Sequence, residues 1–254
     1  MRRFLTVAGC LALLLMVLPA SGLAQDERGE IGYVMRVEVA PAYRDAYREA
    51  VTDLVEAALA AEVSYEWHFW GNEKGFLLYY PVENMAYFDN PLQFWSAFDG
   101  TPGEAGRDAF MAEMGQIPAR ASTEIVEAIP NLRYWPEGYT NEDWNVGHFH
   151  FEWLNPGQEE AWAKYAGDFV AFLETIGYPY GVQAYRTLIG EERMGWVFFG
   201  PNLSEFYSDA NWQDLVEAAG VSWDPIEEQF NDIVVRMTHE DARYIKDMSY
   251  VPDS

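Results

Sequence analysis

His148, His150 and Glu152 alternate along the run GHFHFEWLNP, Gly147 to Pro156, and they are the residues here whose types and spacing could do chemistry. In an extended strand every second side chain shares a face, so His148 and His150 project together with Cα atoms about 6–7 Å apart. Two imidazoles at that separation can meet on one metal through bonds of about 2 Å. Glu152 shares the face but lies about 13 Å along the strand from His148. A third ligand would therefore come from another strand, and His68 is the candidate. The alternative is a pair of hydrogen-bonded pocket or surface histidines with no cofactor, and this is the preferred reading, with metal or haem binding through His148 and His150 second.

A second group lies in the run EWHFW, Glu66 to Trp70. His68 and Trp70 alternate there, and a similar run further on, GVQAY, carries Gln183 and Tyr185 in the same places. Polar side chains flanked by aromatic ones match a ligand pocket, which combines apolar walls with a few oriented polar groups. The competing reading is a strand face open to solvent. Arg36 and Glu38 share one parity of an earlier run, and an edge-exposed ion pair is preferred for them over a buried charge pair. A Gly-rich phosphate loop, a G-x-S-x-G elbow, an H-E-x-x-H motif and an EF-hand loop are all missing from the sequence.

The elements that must position these residues come in two copies. GYVMRVEVAP, Gly32 to Pro41, precedes GHFHFEWLNP by 115 residues. A helical stretch follows each proline, with apolar residues at three- and four-residue steps: Tyr43, Ala46, Tyr47, Ala50, Val51, Leu54, Ala58 and Ala61 in the first, Trp162, Tyr165, Ala166, Phe169, Val170, Leu173 and Ile176 in the second. Asn155 is the expected N-cap of the second helix. Two aromatic, strand-like runs separated by a turn come next in each copy. A second helical region then spans Glu83 to Phe98 in one copy and Leu203 to Ala219 in the other, with Trp95 and Trp212 at comparable places. Finally, Ser122 to Pro136 aligns without a gap to Thr238 to Pro252.

The order β-α-β-β-α-β, run twice, is the ferredoxin-like topology. The expected fold is α+β: residues 31–137 form one ferredoxin-like module, 138–145 a linker and 146–254 a second module. Strands aromatic on both parities need cover on both faces, so the two sheets should close on each other as an intramolecular α/β barrel.

This pattern resembles the dimeric α/β barrel superfamily, which includes the NIPSNAP proteins, the antibiotic-biosynthesis monooxygenases, muconolactone isomerase and the chlorite dismutase group. The resemblance spans nearly all of the chain after its leader, at the level of topology. It implies ligands held between sheet and helices or inside the barrel, and chemistry that varies from member to member.

Composition limits the rest. Residues 1–24 read as a secretory leader: Arg2 and Arg3, an apolar run from Phe4 to Leu18, then small residues ending at Ala24. Cleavage there predicts an exported protein, periplasmic or secreted, and removes Cys10, the sole cysteine, along with any thiolate chemistry. Loss of Arg2 and Arg3 takes the formal charge from −25 to −27. Such acidity disfavours nucleic acid, which needs neutralising lysines and arginines, and anionic membrane after cleavage. A monomeric pseudo-dimer or a homodimer is expected. The preferred function is binding of a small apolar or aromatic ligand in the barrel. The alternatives are a monooxygenase- or isomerase-like enzyme using the histidines, and a structural protein of the cell envelope; the sequence does not decide whether the chain is an enzyme.

Overall fold

The computed structural model describes residues 29–90, 92–140, 144–209 and 212–252; the leader lies outside them. The first half runs β1 (Ile31–Val39), α1 (Arg44–Ala61), β2 (His68–Gly71), β3 (Gly75–Val82), a short α2 (Gln93–Ser96), α3 (Glu104–Met114) and β4 (Ala119–Tyr134). The second repeats it: β5 (Val146–Leu154), α4 (Glu159–Ile176), β6 (Gly181–Ile189), β7 (Met194–Gly200), α5 (Leu203–Asp209), α6 (Trp212–Ala219), α7 (Asp224–Ile233) and β8 (Val234–Tyr244). The strands close into one barrel in the order β1-β3-β2-β8-β5-β7-β6-β4, every pairing antiparallel. Each half supplies four neighbouring strands, and closure leaves no open sheet edge.

Three cores follow from the doubly aromatic strands. α1 lays Tyr47, Val51, Leu54 and Ala58 over Val37, Phe69 and Tyr80 of the first sheet. α4 lays Trp162, Tyr165, Phe169 and Leu173 over Val182, Ala184, Trp196 and Phe198 of the second. The opposite strand parities meet inside the barrel, where Trp70, Leu77, Phe149, Val197, Phe199 and Ala242 pack together. Glycines at equivalent positions make room there for rings. A Cβ at Gly32 would stand 2.1 Å from the Tyr79 ring, and one at Gly147 would stand 2.7 Å from Phe149.

The duplication extends to the hydrogen bonds that join the halves. On one seam β4 pairs with β6 up to Ala128, leaves register, and resumes with Arg133 opposite Gln183 and Tyr134 opposite Val182. On the other, Tyr244 pairs with Trp70, the chain makes a short turn at Lys246–Met248, and Tyr250 pairs with Trp67. Between the last strand of the first half and the first of the second, Trp135, Tyr139 and Trp144 pack together, with Trp135 and Trp144 against Phe199.

Some local expectations need correction. Glu83 to Phe98 is not one helix but a 3-10 turn, Met85–Asp89, capped by the Asn84 side chain, and the single turn α2. Asn90 precedes a proline, which biases it away from helical geometry, and its φ of −127° and ψ of 79° are non-helical. In the second half the described residues of the same region are helical, as α5 and α6, and residues 210 and 211 lie outside the described ones. The N-cap of α4 is Gln158, not Asn155, because the chain first turns through Pro156 and Gly157.

Candidate functional site

In β5 the odd positions Phe149 and Phe151 face the barrel interior, so His148, His150 and Glu152 face the helices. There they form one end of a cleft of about 570 Å³ between the sheet and α4 to α7. Aromatic side chains make its walls, among them Phe169, Phe198, Phe206, Trp212 and Trp223. Strand pairing adds a further member: β8 sets Asp241 directly opposite His148, and His239 opposite His150. His148 Nδ1 lies 2.6 Å from Asp241 Oδ1, and its Nε2 lies 2.6 Å from His150 Nε2. From α5, the Tyr207 hydroxyl donates to Asp241 Oδ2 at 3.0 Å.

Valence fixes the proton positions along this chain. An ionised carboxylate only accepts, so His148 Nδ1 donates to Asp241. His148 Nε2 is then an acceptor, His150 Nε2 carries the shared hydrogen, and the lone pair of the second imidazole sits on His150 Nδ1. Burial favours this neutral state. Desolvation lowers the His148 pKa although Asp241 pulls against it, and desolvation with the neighbouring His148 and His239 lowers His150 to about 3.

Glu152 moves the other way. It is 1% exposed beneath α4, and burial raises its pKa to about 7 while a 2.7 Å hydrogen bond from Trp162 Nε1 partly opposes the rise. One strand face thus carries neutral imidazoles beside a carboxyl group that titrates near neutrality. Divergent pKa values of this kind mark acid–base sites.

The histidine pair does not fit a metal as it stands. Two nitrogens bound at about 2 Å to one tetrahedral ion sit more than 3 Å apart, whereas these are 2.6 Å apart and joined by a shared hydrogen. Both nitrogens of His148 are engaged, leaving none for an axial haem bond. Among the described residues no group of three or more His, Cys, Asp or Glu is arranged to hold a metal ion.

The six residues singled out from sequence divide between two places. His68, Trp70 and Tyr185 line a cavity inside the barrel, on the opposite face of the sheet from His148 and His150. His68 therefore cannot serve as their third ligand; its Nδ1 is 3.0 Å from the Tyr244 hydroxyl. The parity of one strand cannot be matched to that of a distant strand before the register is known. Gln183 is buried, but its amide donates to the Ile129 and Ala184 carbonyls. The expected edge pair of Arg36 and Glu38 is also corrected: Arg36 bonds Glu240 across the barrel, with its guanidinium over the Phe151 ring, while Glu38 is exposed.

Sequence reasoning missed Asp241 and Tyr207 and set Glu152 aside. The available signal for Asp241 was its place in a polar run, THED, on a strand otherwise aligned with its copy.

No family model and no curated protein matches the chain. Solved structures do match. A candidate monooxygenase from Lactobacillus acidophilus NCFM superposes with a TM-score of 0.54 at 10% identity, covering 88% of this chain and 97% of that one. A candidate monooxygenase from Fusobacterium nucleatum gives 0.55 at 12%, covering 86% and 94%. An anthrone oxidase-like protein gives 0.52 at 16%, covering 87% and 93%. Identities this low speak to fold alone. On that ground the chain shares the α+β barrel fold of these structures, with both sets of four strands in one polypeptide.

Proposed function

We propose that this is an exported monooxygenase-like enzyme that binds a small planar aromatic molecule in the outer cleft of its second half and removes a proton from it. The observation that carries the reading is the buried relay Asp241–His148–His150 opening on an aromatic-walled cleft. The fold shared with monooxygenase-like structures supports the same class, and the leader supports export.

An imidazole held near pKa 3 is a weak base alone. The relay changes what becomes of the proton. His150 Nδ1 accepts it from an activated C–H or O–H of the substrate, and His150 Nε2 passes its own hydrogen to His148 Nε2. Positive charge then rests on His148, against the Asp241 carboxylate, where it is stabilised. Glu152, protonated for part of the time near neutrality, donates a hydrogen bond toward developing negative charge on the substrate. With dioxygen as co-substrate, a methylene between two rings loses two hydrogens; one oxygen atom stays as a carbonyl and the other leaves as water.

Anthrone in D2O tests this directly. Under argon the protein should catalyse deuterium exchange at the methylene, and in air it should form the quinone. His150→Gln should slow both by about 100-fold or more. Saturable binding without exchange would leave a binding protein and remove the enzyme. No binding, exchange or oxidation of anthrone or its hydroxylated analogues would remove the reading altogether.

A further inference from the structure

The barrel interior holds a cavity of about 280 Å³ between the two halves, on the other side of the sheet from the outer cleft. His150 and Trp196 belong to the wall shared by the two spaces. Most of its lining is apolar and aromatic, with Trp70, Leu77, Tyr79, Trp144, Phe149 and Tyr185 around the middle. This volume is near the lower end for small-molecule pockets, which suits one or two rings.

Its polar groups are divided in a telling way. Arg36 and Arg193 are already paired, with Glu240 and with Glu124 at 2.5 Å, and Glu66, also in the lining, lies 3.8 Å from His68. Both guanidiniums also lie over the Phe151 ring, at 4.8 and 4.2 Å from its centroid. Tyr79 donates to Glu30, and His68 is joined to Tyr244. Three buried indole donors of its lining are left over, and one of them, Trp196, is turned toward Glu152 of the outer cleft. The buried indole nitrogens of Trp70 and Trp144 have no hydrogen-bond partner among the described residues, and Trp70 is only 4% exposed. An indole N–H can only donate, and unpaired buried donors are uncommon because desolvating them is costly. What the Trp70 and Trp144 indoles lack is an acceptor.

We propose that the barrel interior is a second ligand site, separate from the outer cleft, for an uncharged one- or two-ring molecule bearing a carbonyl-type oxygen, which accepts from Trp70 and Trp144. The paired arginines argue against an anionic ligand, since its charge would enter a largely apolar space with no free cation among the described lining residues. The site joins residues of the first half (Trp70, Leu77, Tyr79) to residues of the second (Phe149, Tyr185). Its occupant would therefore bridge the two copies.

The test uses the leader-free protein with ¹⁵N-labelled tryptophan, titrated with 1-tetralone, then with tetralin (no acceptor) and 1-naphthoate (charged). The indole resonances are assigned with Trp70→Phe and Trp144→Phe. Tetralone should move the Trp70 and Trp144 indole signals downfield and saturate, while tetralin and naphthoate should bind at least fivefold more weakly. Trp70→Phe should weaken tetralone about fivefold to tenfold. Val34→Phe, which fills the cavity from β1 without touching the outer cleft, should abolish the Trp70 and Trp144 shifts. Trp212 and Trp223 report the outer cleft in the same spectra, so binding there is read separately and the two proposals can fail independently. Equal binding of tetralin and tetralone would overturn the proposal. So would indole signals that stay fixed through the titration, or Trp70 and Trp144 shifts that survive Val34→Phe.

Discussion

The two outer clefts occupy equivalent places in the two halves, and strand register allows a comparison residue by residue. In the second half His148 faces Asp241, His150 faces His239 and Glu152 faces Met237. In the first, Tyr33 faces Ile125, Met35 faces Thr123 and Val37 faces Ala121. The first cleft is correspondingly apolar and smaller, about 280 Å³ against about 570 Å³, and is filled by Tyr80, Tyr87, Phe88 and Phe94. Duplication supplied two copies of one scaffold, and the substitutions sort them. One copy kept an apolar, aromatic-lined space, and the other carries a titratable strand face whose burial costs stability.

Copying the first half onto the second should have the largest effect. His148→Tyr, His150→Met and Glu152→Val together should lower anthrone exchange by 100-fold or more while aromatic binding, followed by the Trp212 and Trp223 signals, persists. The reverse triple change in the first half should create no activity, because Ile125 stands where Asp241 would be needed.

Stability against pH sharpens the same contrast. The His150 pKa falls from 6.5 to about 3 on folding, so its contribution is complete above pH 6.5 and is lost as pH falls toward 3. His150→Met should therefore flatten the acid side of a urea-melt series, by several kcal/mol at pH 4 on the ~1.4 kcal/mol per unit scale. Glu152 rises from 4.5 to about 7, so its contribution is complete below pH 4.5 and is lost as pH rises through 7. Glu152→Gln should stabilise the protein by roughly 3 kcal/mol at most above pH 8 and by little at pH 4. Matching changes at Met35 and Val37 should leave both limbs where they are.

The smallest effect concerns helix ends. α1 stops at Glu62 with φ 51°, and α4 stops at Gly177 with φ 61°. A side chain is strained in that left-handed region, so Glu62→Gly should add about 1 kcal/mol in denaturant melts and Gly177→Ala should remove about as much.

Much of this architecture was legible from spacing. The 115-residue offset, the apolar stripes of α1 and α4, and barrel closure all rest on local periodicity, which one sequence displays. Trp95 and Trp212, matched by position alone, each line the outer cleft of their own half. The site was only half legible. His148 and His150 could be placed on one face, but both parities of β5 are aromatic, so nothing local said which face met the helices. Asp241 joins them through pairing with a strand 93 residues away. Tyr207 arrives on α5, within the second helical region, whose contact with β8 no spacing announced. Both depend on long-range register, which periodicity does not encode.

One of the barrel's two joins is made by almost the last residues of the chain. Tyr250 bonds the Val63 carbonyl across 187 residues, and Ser249 and Met248 hold Phe69 and Trp67. The first module can thus condense on its own helix early, yet its β2 flank waits uncovered until the tail arrives. Assembly of the whole is a late, non-local event, slow by the usual dependence of folding rate on contact distance.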